Sequence, residues 1–132
     1  MTTFVDTSAW LAVLDADDQH HEAARVAWLG ALERHEPLLT SNCVVVESTA
    51  VVQRRLGLDA LRALTLDLLP LAEVEWVTPE DHDAATAALL TAGRRTLSLV
   101  DCSSFELMRR LGIRSAFAFD KHFIEQGFAA LT

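Results

Sequence analysis

The 132-residue chain has only two cysteines, Cys43 and Cys102, and neither belongs to a CxxC pair. That excludes a disulfide framework and fits a reducing compartment, so a cytoplasmic location is expected. Long apolar runs are missing as well. A spanning helix needs about 20 apolar residues, and the stretches present, such as residues 9–14, fall far short. No Lys or Arg precedes the first apolar run, and Asp6 interrupts it, unlike a secretory signal. No membrane association is therefore expected. Positive charge is scarce: 11 Lys and Arg stand against 19 Asp and Glu, a net charge of −8. Proteins that coat nucleic acid through charge alone are basic, so that class is excluded. HExxH is absent, and the adjacent His20 and His21 would point about 100° apart on a helix. A zinc site, which needs about four converging ligands, is not expected.

What remains is globular in composition. The hydrophobic fraction is 51% and the charged fraction 23%, close to ordinary folded domains. No repeat, low-complexity tract or linker interrupts the chain, so residues 1–132 are expected to form one domain. Short apolar runs alternate with amphipathic segments. Strands are predicted at residues 2–5, 37–40, 73–77, 115–119 and 128–131. Helices are predicted at residues 7–14, 19–34, 43–56, 58–69, 79–92 and 98–110. The 19–34 helix shows Ala23, Val26, Ala27, Gly30 and Ala31 at helical spacing, which marks it as a helix. Ser41 and Asn42 are good cap residues before the third helix, and Gly57 ends it. Thr78-Pro79-Glu80-Asp81 is a helix start with a Thr cap, Pro in the first turn and acids beside it. This alternation predicts an α/β fold around a mostly parallel sheet. Ligands of such sheets sit at the carboxyl ends of the strands, where Asp6 and Asp120 fall.

Four acids each follow at least two apolar residues: Asp6 in FVDTS, Glu47 in NCVVVES, Asp101 in SLVDCS and Asp120 in AFAFDKHF. A half-buried backbone thus delivers each carboxylate. An isolated buried carboxylate is costly and needs a partner or a cation. No Lys or Arg neighbours all four, whereas one shared divalent metal serves them together. Oxygen donors suit Mg²⁺ or Mn²⁺. Capping offers another reading for three of them. Asp6 precedes a helix at Thr7, Ser98-Leu-Val-Asp101 resembles a capping box, and Asp120 precedes a turn at His122. Capping does not explain Glu47.

These blocks resemble the PIN domain family, and most closely its VapC-type ribonuclease toxins. The resemblance spans essentially the whole chain. It takes in VDTSA at residues 5–9, HHEA at 20–23, Glu47, the Pro79-Glu80 helix start, SLVDCS at 98–103 and FDKHF at 119–123. It implies a three-layer α/β/α sandwich whose acids converge at one end of a parallel sheet. It further implies a Mg²⁺- or Mn²⁺-dependent endoribonuclease, the toxin of a type II toxin–antitoxin pair. Asp6 and Asp101 would then be the principal metal ligands, with Glu47 and Asp120 completing the catalytic pocket. Thr7 or Ser8 would add a hydroxyl. A cognate antitoxin and a homodimer are the expected protein partners, and RNA the substrate. The chemistry agrees: a bound metal lowers the pKa of its water and offsets charge on the phosphate. Two divalent ions would also halve the net charge of −8.

Arg54, Arg55, Arg94, Arg95, Arg109 and Arg110 come in pairs. Most read as solvated helix surface, while Arg94 and Arg95, on a loop, are candidates for RNA phosphates. Trp10, Trp28 and Trp76 read as core or interface anchors, with Trp10 available to a dimer or antitoxin. His122 reads as packing or surface. Two alternatives stand beside the nuclease: an α/β phospho-receiver that gathers acids around Mg²⁺, and a PIN-like binding module without catalysis. A receiver wants its acids at strand ends, whereas Glu47 falls on a predicted helix. Four intact acids disfavour the inactive module.

Overall fold

The computed structural model describes residues 1–131. Its elements, in order, are β1 (Thr3–Val5), α1 (Thr7–Leu14), α2 (His21–Glu33), β2 (Leu38–Ser41) and α3 (Asn42–Leu56). Then come α4 (Leu58–Ala63), β3 (Glu73–Glu75), α5 (Pro79–Ala92), α6 (Leu99–Leu111), β4 (Ser115–Phe117), α7 (Lys121–Glu125) and β5 (Ala129–Ala130). The sheet runs β3-β2-β1-β4-β5, and every pairing is parallel. β1 and β2 are buried along their whole length, as expected of parallel strands covered on both faces.

Strand alternation builds the layers. Phe4 pairs with Ala116 and Val5 with Phe117, so Phe4 and Phe117 project to opposite faces. Phe4 meets Phe123 of α7, which packs on Phe105 of α6. Phe117 meets Trp28 of α2, which packs edge-on against Trp10 of α1. The result is a three-layer α/β/α sandwich. The chain moves outward from β1 to β2 and β3, then returns to place β4 on the other side of β1. That reversal opens a crevice beyond the carboxyl ends of β1 and β4, where ligands of doubly wound sheets bind.

In α2 the buried residues are Ala24, Ala27, Trp28 and Ala31, while Val26 is 57% exposed. Burying the indole between Trp10 and Phe117 removes more apolar area than burying a valine, and it sets the helix rotation. Three details depart from the sequence reading. β4 ends at Phe117, so two residues separate it from Asp120. The expected 58–69 helix stops being α-helical at Ala63 and continues as a π turn (Leu64–Leu68) and a 3-10 turn (Leu69–Leu71). Pro70 has no N–H to sustain the α pattern. Finally, α7 was not expected; five residues are too few for a periodic signal.

Candidate active site

Asp6 ends β1 and caps α1. Its Oδ2 accepts hydrogen bonds from the Ser8 backbone N–H (3.2 Å) and the Ser8 hydroxyl (2.8 Å). Its Oδ1 is buried and has no hydrogen-bond partner among the described residues. Burial pushes the Asp6 carboxyl up to about 7; the Ser8 hydrogen bonds oppose the rise, and the charges of Asp101 and Glu47 add to it.

Asp101 lies in the first turn of α6 inside a full capping box. Its backbone N–H donates to the Ser98 hydroxyl, and its Oδ2 accepts from the Ser98 N–H at 3.1 Å. Burial raises this carboxyl too; hydrogen bonds with Ser98 oppose the rise, and Asp120 and Glu47 reinforce it. Glu47 projects from α3 and is half-buried. The next residue, Ser48, donates its hydroxyl to Thr7 Oγ1 at 3.0 Å, which ties α3 to α1 beside the site. Asp120 caps α7 by accepting from the His122 N–H at 2.9 Å. Ser8 is the central strut: its hydroxyl also accepts from the Phe119 N–H at 2.9 Å, joining α1 to the segment that presents Asp120.

All four sequence-predicted acids line one cleft of about 290 Å³, with Thr7, Ser8, Leu11, Val51, Arg55 and Ser98. Among the described residues, no Lys or Arg forms an ion pair with any of the four. Converging like charges, a partnerless buried oxygen and an all-oxygen donor set fit a hard divalent cation. Donor atoms of Asp101, Asp120 and His122 also lie within 4.8 Å of one another. The His122 ring is buried, and its Nε2 lies 3.2 Å from the Thr96 carbonyl, as for a donor to that oxygen.

Capping and site geometry coincide. The caps expected at Asp6, Asp101 and Asp120 are all present, yet each residue also faces the cleft. Other expectations shift. Arg94 is engaged by Glu125 at 2.9 Å, whereas Arg95 is exposed. Trp10 is fully buried, so it is a core residue and offers nothing to a partner; Trp76 is 70% exposed. Arg55, set aside as helix surface, lines the cleft. Its spacing carried the signal: Glu47, Val51 and Arg55 are four residues apart and share a helix face.

The sequence profile of the PIN domain matches residues 3–129. A relative from Mycobacterium tuberculosis, the 23S rRNA-specific endonuclease VapC20, is 36% identical over 126 residues, covering 95% of this chain and 94% of that protein. The crystal structure of M. tuberculosis VapC20, described as a sarcin–ricin loop cleaving toxin, superposes with a TM-score of 0.84 at 35% identity. It covers 98% of this chain and 97% of its own. The crystal structure of FitAcB from Neisseria gonorrhoeae shares the fold at a TM-score of 0.69 and 18% identity, covering 100% of this chain and 97% of its own.

Proposed function

The chain belongs to the PIN domain family, and from that premise we propose that it is a divalent-metal-dependent endoribonuclease acting as the toxin of a type II toxin–antitoxin pair. The observation that carries this reading is the cleft lined by four carboxylates, one of which, Asp6, has a buried oxygen without a hydrogen-bond partner among the described residues. Likeness to VapC20 over 95% of the chain supports the sarcin–ricin loop of 23S rRNA as the substrate. The phospho-receiver alternative loses its footing with the family assignment, and no observation favours the inactive module.

In this reading Asp6 and Asp101 hold Mg²⁺ or Mn²⁺, and Glu47 and Asp120 complete the pocket. A bound ion supplies an activated water and charge compensation on the phosphate. The chain's own residues do the positioning. Ser8 fixes Asp6 through Oδ2 and leaves Oδ1 without a hydrogen-bond partner among the described residues. Ser98 fixes Asp101 in the same way. Both carboxyls are pushed upward by burial, and a bound cation would favour their ionised forms.

The partner reading rests on apolar surface. One groove of about 300 Å³ is lined by Val45, Val46, Leu69, Val74 and Trp76. A second, of about 490 Å³, includes Ala23, Val26, Phe119 and Leu131. Exposed patches of this kind mark protein contacts, and we assign them to an antitoxin and a second copy of the chain. Among the described residues no helix is long and apolar enough to cross a membrane. Two free cysteines and a ribosomal substrate support a cytoplasmic location in this reading.

The test is cleavage of 23S rRNA and of a sarcin–ricin stem-loop RNA with Mg²⁺ or Mn²⁺, against EDTA. Asp6→Asn and Asp101→Asn should each lower the rate by about two orders of magnitude or more while leaving the circular dichroism spectrum unchanged. Equal cutting by wild type and both variants would remove the assignment.

A further inference from the structure

We propose that Arg55 is an RNA-binding residue that grips a phosphate neighbouring the scissile one; the inference rests on the nuclease reading above and adds a substrate contact to it. The chain faces a polyanionic substrate with a net charge of −8. Most of its cations are already engaged. Arg25, Arg34, Arg62, Arg94, Arg109 and Arg110 are held in ion pairs. Arg55 forms none among the described residues, although it lines a cleft containing four carboxylates. It is the one Lys or Arg in that lining. A guanidinium that passes over four nearby acids remains available for a ligand.

Its place on α3 says which part of the ligand. Glu47, Val51 and Arg55 lie on one face, and all three line the cleft. Eight residues of helix separate Glu47 from Arg55, about 12 Å along the axis. Arg55 is thus rooted about two turns of α3 beyond Glu47, which suits a phosphate along the strand from the reacting one. Arg matches phosphate oxygens with two parallel N–H donors. Such a contact sets the register of the RNA across the acids and reads no base.

Two other roles are open to an arginine here, and each predicts something different. Arg54 and Arg55 both lie in the last turn of α3, where a cation favours the helix terminus. That role belongs to Arg54 equally, although Arg54 does not line the cleft. An internal counter-ion to the acids would instead compete with the metal.

The experiment is steady-state cleavage of a sarcin–ricin stem-loop RNA by wild type, Arg55→Gln, Arg55→Lys and Arg54→Gln over a KCl series, with Mn²⁺ titrations alongside. Arg55→Gln should raise KM about tenfold and leave kcat within about twofold. Its plot of log(kcat/KM) against log[KCl] should be shallower by about 0.7, the loss of one phosphate contact. Arg55→Lys should recover most of the salt slope, and Arg54→Gln should match wild type. An unchanged KM in Arg55→Gln overturns the inference while the nuclease reading stands. So does an equal defect in Arg54→Gln, or a tighter Mn²⁺ midpoint with an unchanged salt slope. Wild-type protein that does not cut the RNA removes the nuclease reading, and this inference with it.

Discussion

The two oxygens of Asp6 do different things: Oδ2 closes the first turn of α1 through Ser8, and Oδ1 is buried with no hydrogen-bond partner among the described residues. From sequence, helix capping and metal binding compete for the same aspartates. In the structure they are compatible, because one oxygen caps and the other is free. Asp101 repeats the arrangement with Ser98. The candidate acids were therefore legible as residues, whereas the sharing of duties within each carboxylate needed coordinates. A pH dependence follows at this scale. Burial raises the Asp6 carboxyl from 3.8 to about 7, so between those values the folded chain holds a proton that the unfolded chain has released. The contribution of this carboxyl to the stability of the metal-free protein is thus fully present below about pH 4, is lost as pH rises toward 7, and then levels. Asp101, also raised, acts in the same direction. Asparagine caps helices as well as aspartate does and carries no charge. Asp6→Asn, free of metal, should melt several degrees above wild type at pH 8, with the gap closing near pH 4. A thermal shift series in EDTA checks this; a variant that melts below wild type at pH 8 contradicts it.

At the scale of elements, α6 shows how a helix start holds a carboxylate at the cleft. Ser98 and Asp101 exchange hydrogen bonds across the first turn, which satisfies two otherwise unpaired N–H groups. Ser98→Ala removes the hydroxyl acceptor and should cost about 1 kcal/mol, or roughly 4 °C in Tm. It should also lower cleavage, because Asp101 loses part of its restraint. Thermal melts and rates on the same preparation measure both, and a stability loss with full activity would show that the box serves the helix alone. The helices with strong caps were the ones sequence placed best. Thr78 with Pro79 and Gly93 fixed both ends of α5, and Ser41 with Gly57 fixed α3. Where the sequence reading was silent, tertiary packing decides. The rotation of α2 is set by the buried Trp28, and α7 exists because Asp120 caps five residues whose Phe123 is buried under Phe4 and Phe105.

The whole molecule brings together residues 6, 47, 101 and 120, which are spread along the chain, because the strand order reverses beside β1. Only the folded state assembles that set of like charges, and only the folded state can offer it to an ion. In the proposed reading a divalent metal is a ligand of the native chain and stabilises it by mass action, by about 2.7 kcal/mol when the free ion is at a hundred times its Kd. For a chain of 132 residues that corresponds to a rise of about 10 °C in Tm. The core is built from residues that do not line the cleft: the aromatic contacts of Phe4, Phe117 and Trp28 span both faces of the sheet. EDTA should then abolish cleavage and leave the circular dichroism spectrum intact, while Mn²⁺ raises the melting temperature. KCl at matched ionic strength separates site binding from general relief of a −8 charge, since screening acts on dispersed charges and does not require four acids in one cleft. The Asp6→Asn, Asp101→Asn double variant should keep the KCl response and lose the Mn²⁺ response. If the double variant responds to Mn²⁺ as fully as wild type, the ion binds elsewhere on the acidic surface, and the cleft is not the metal site.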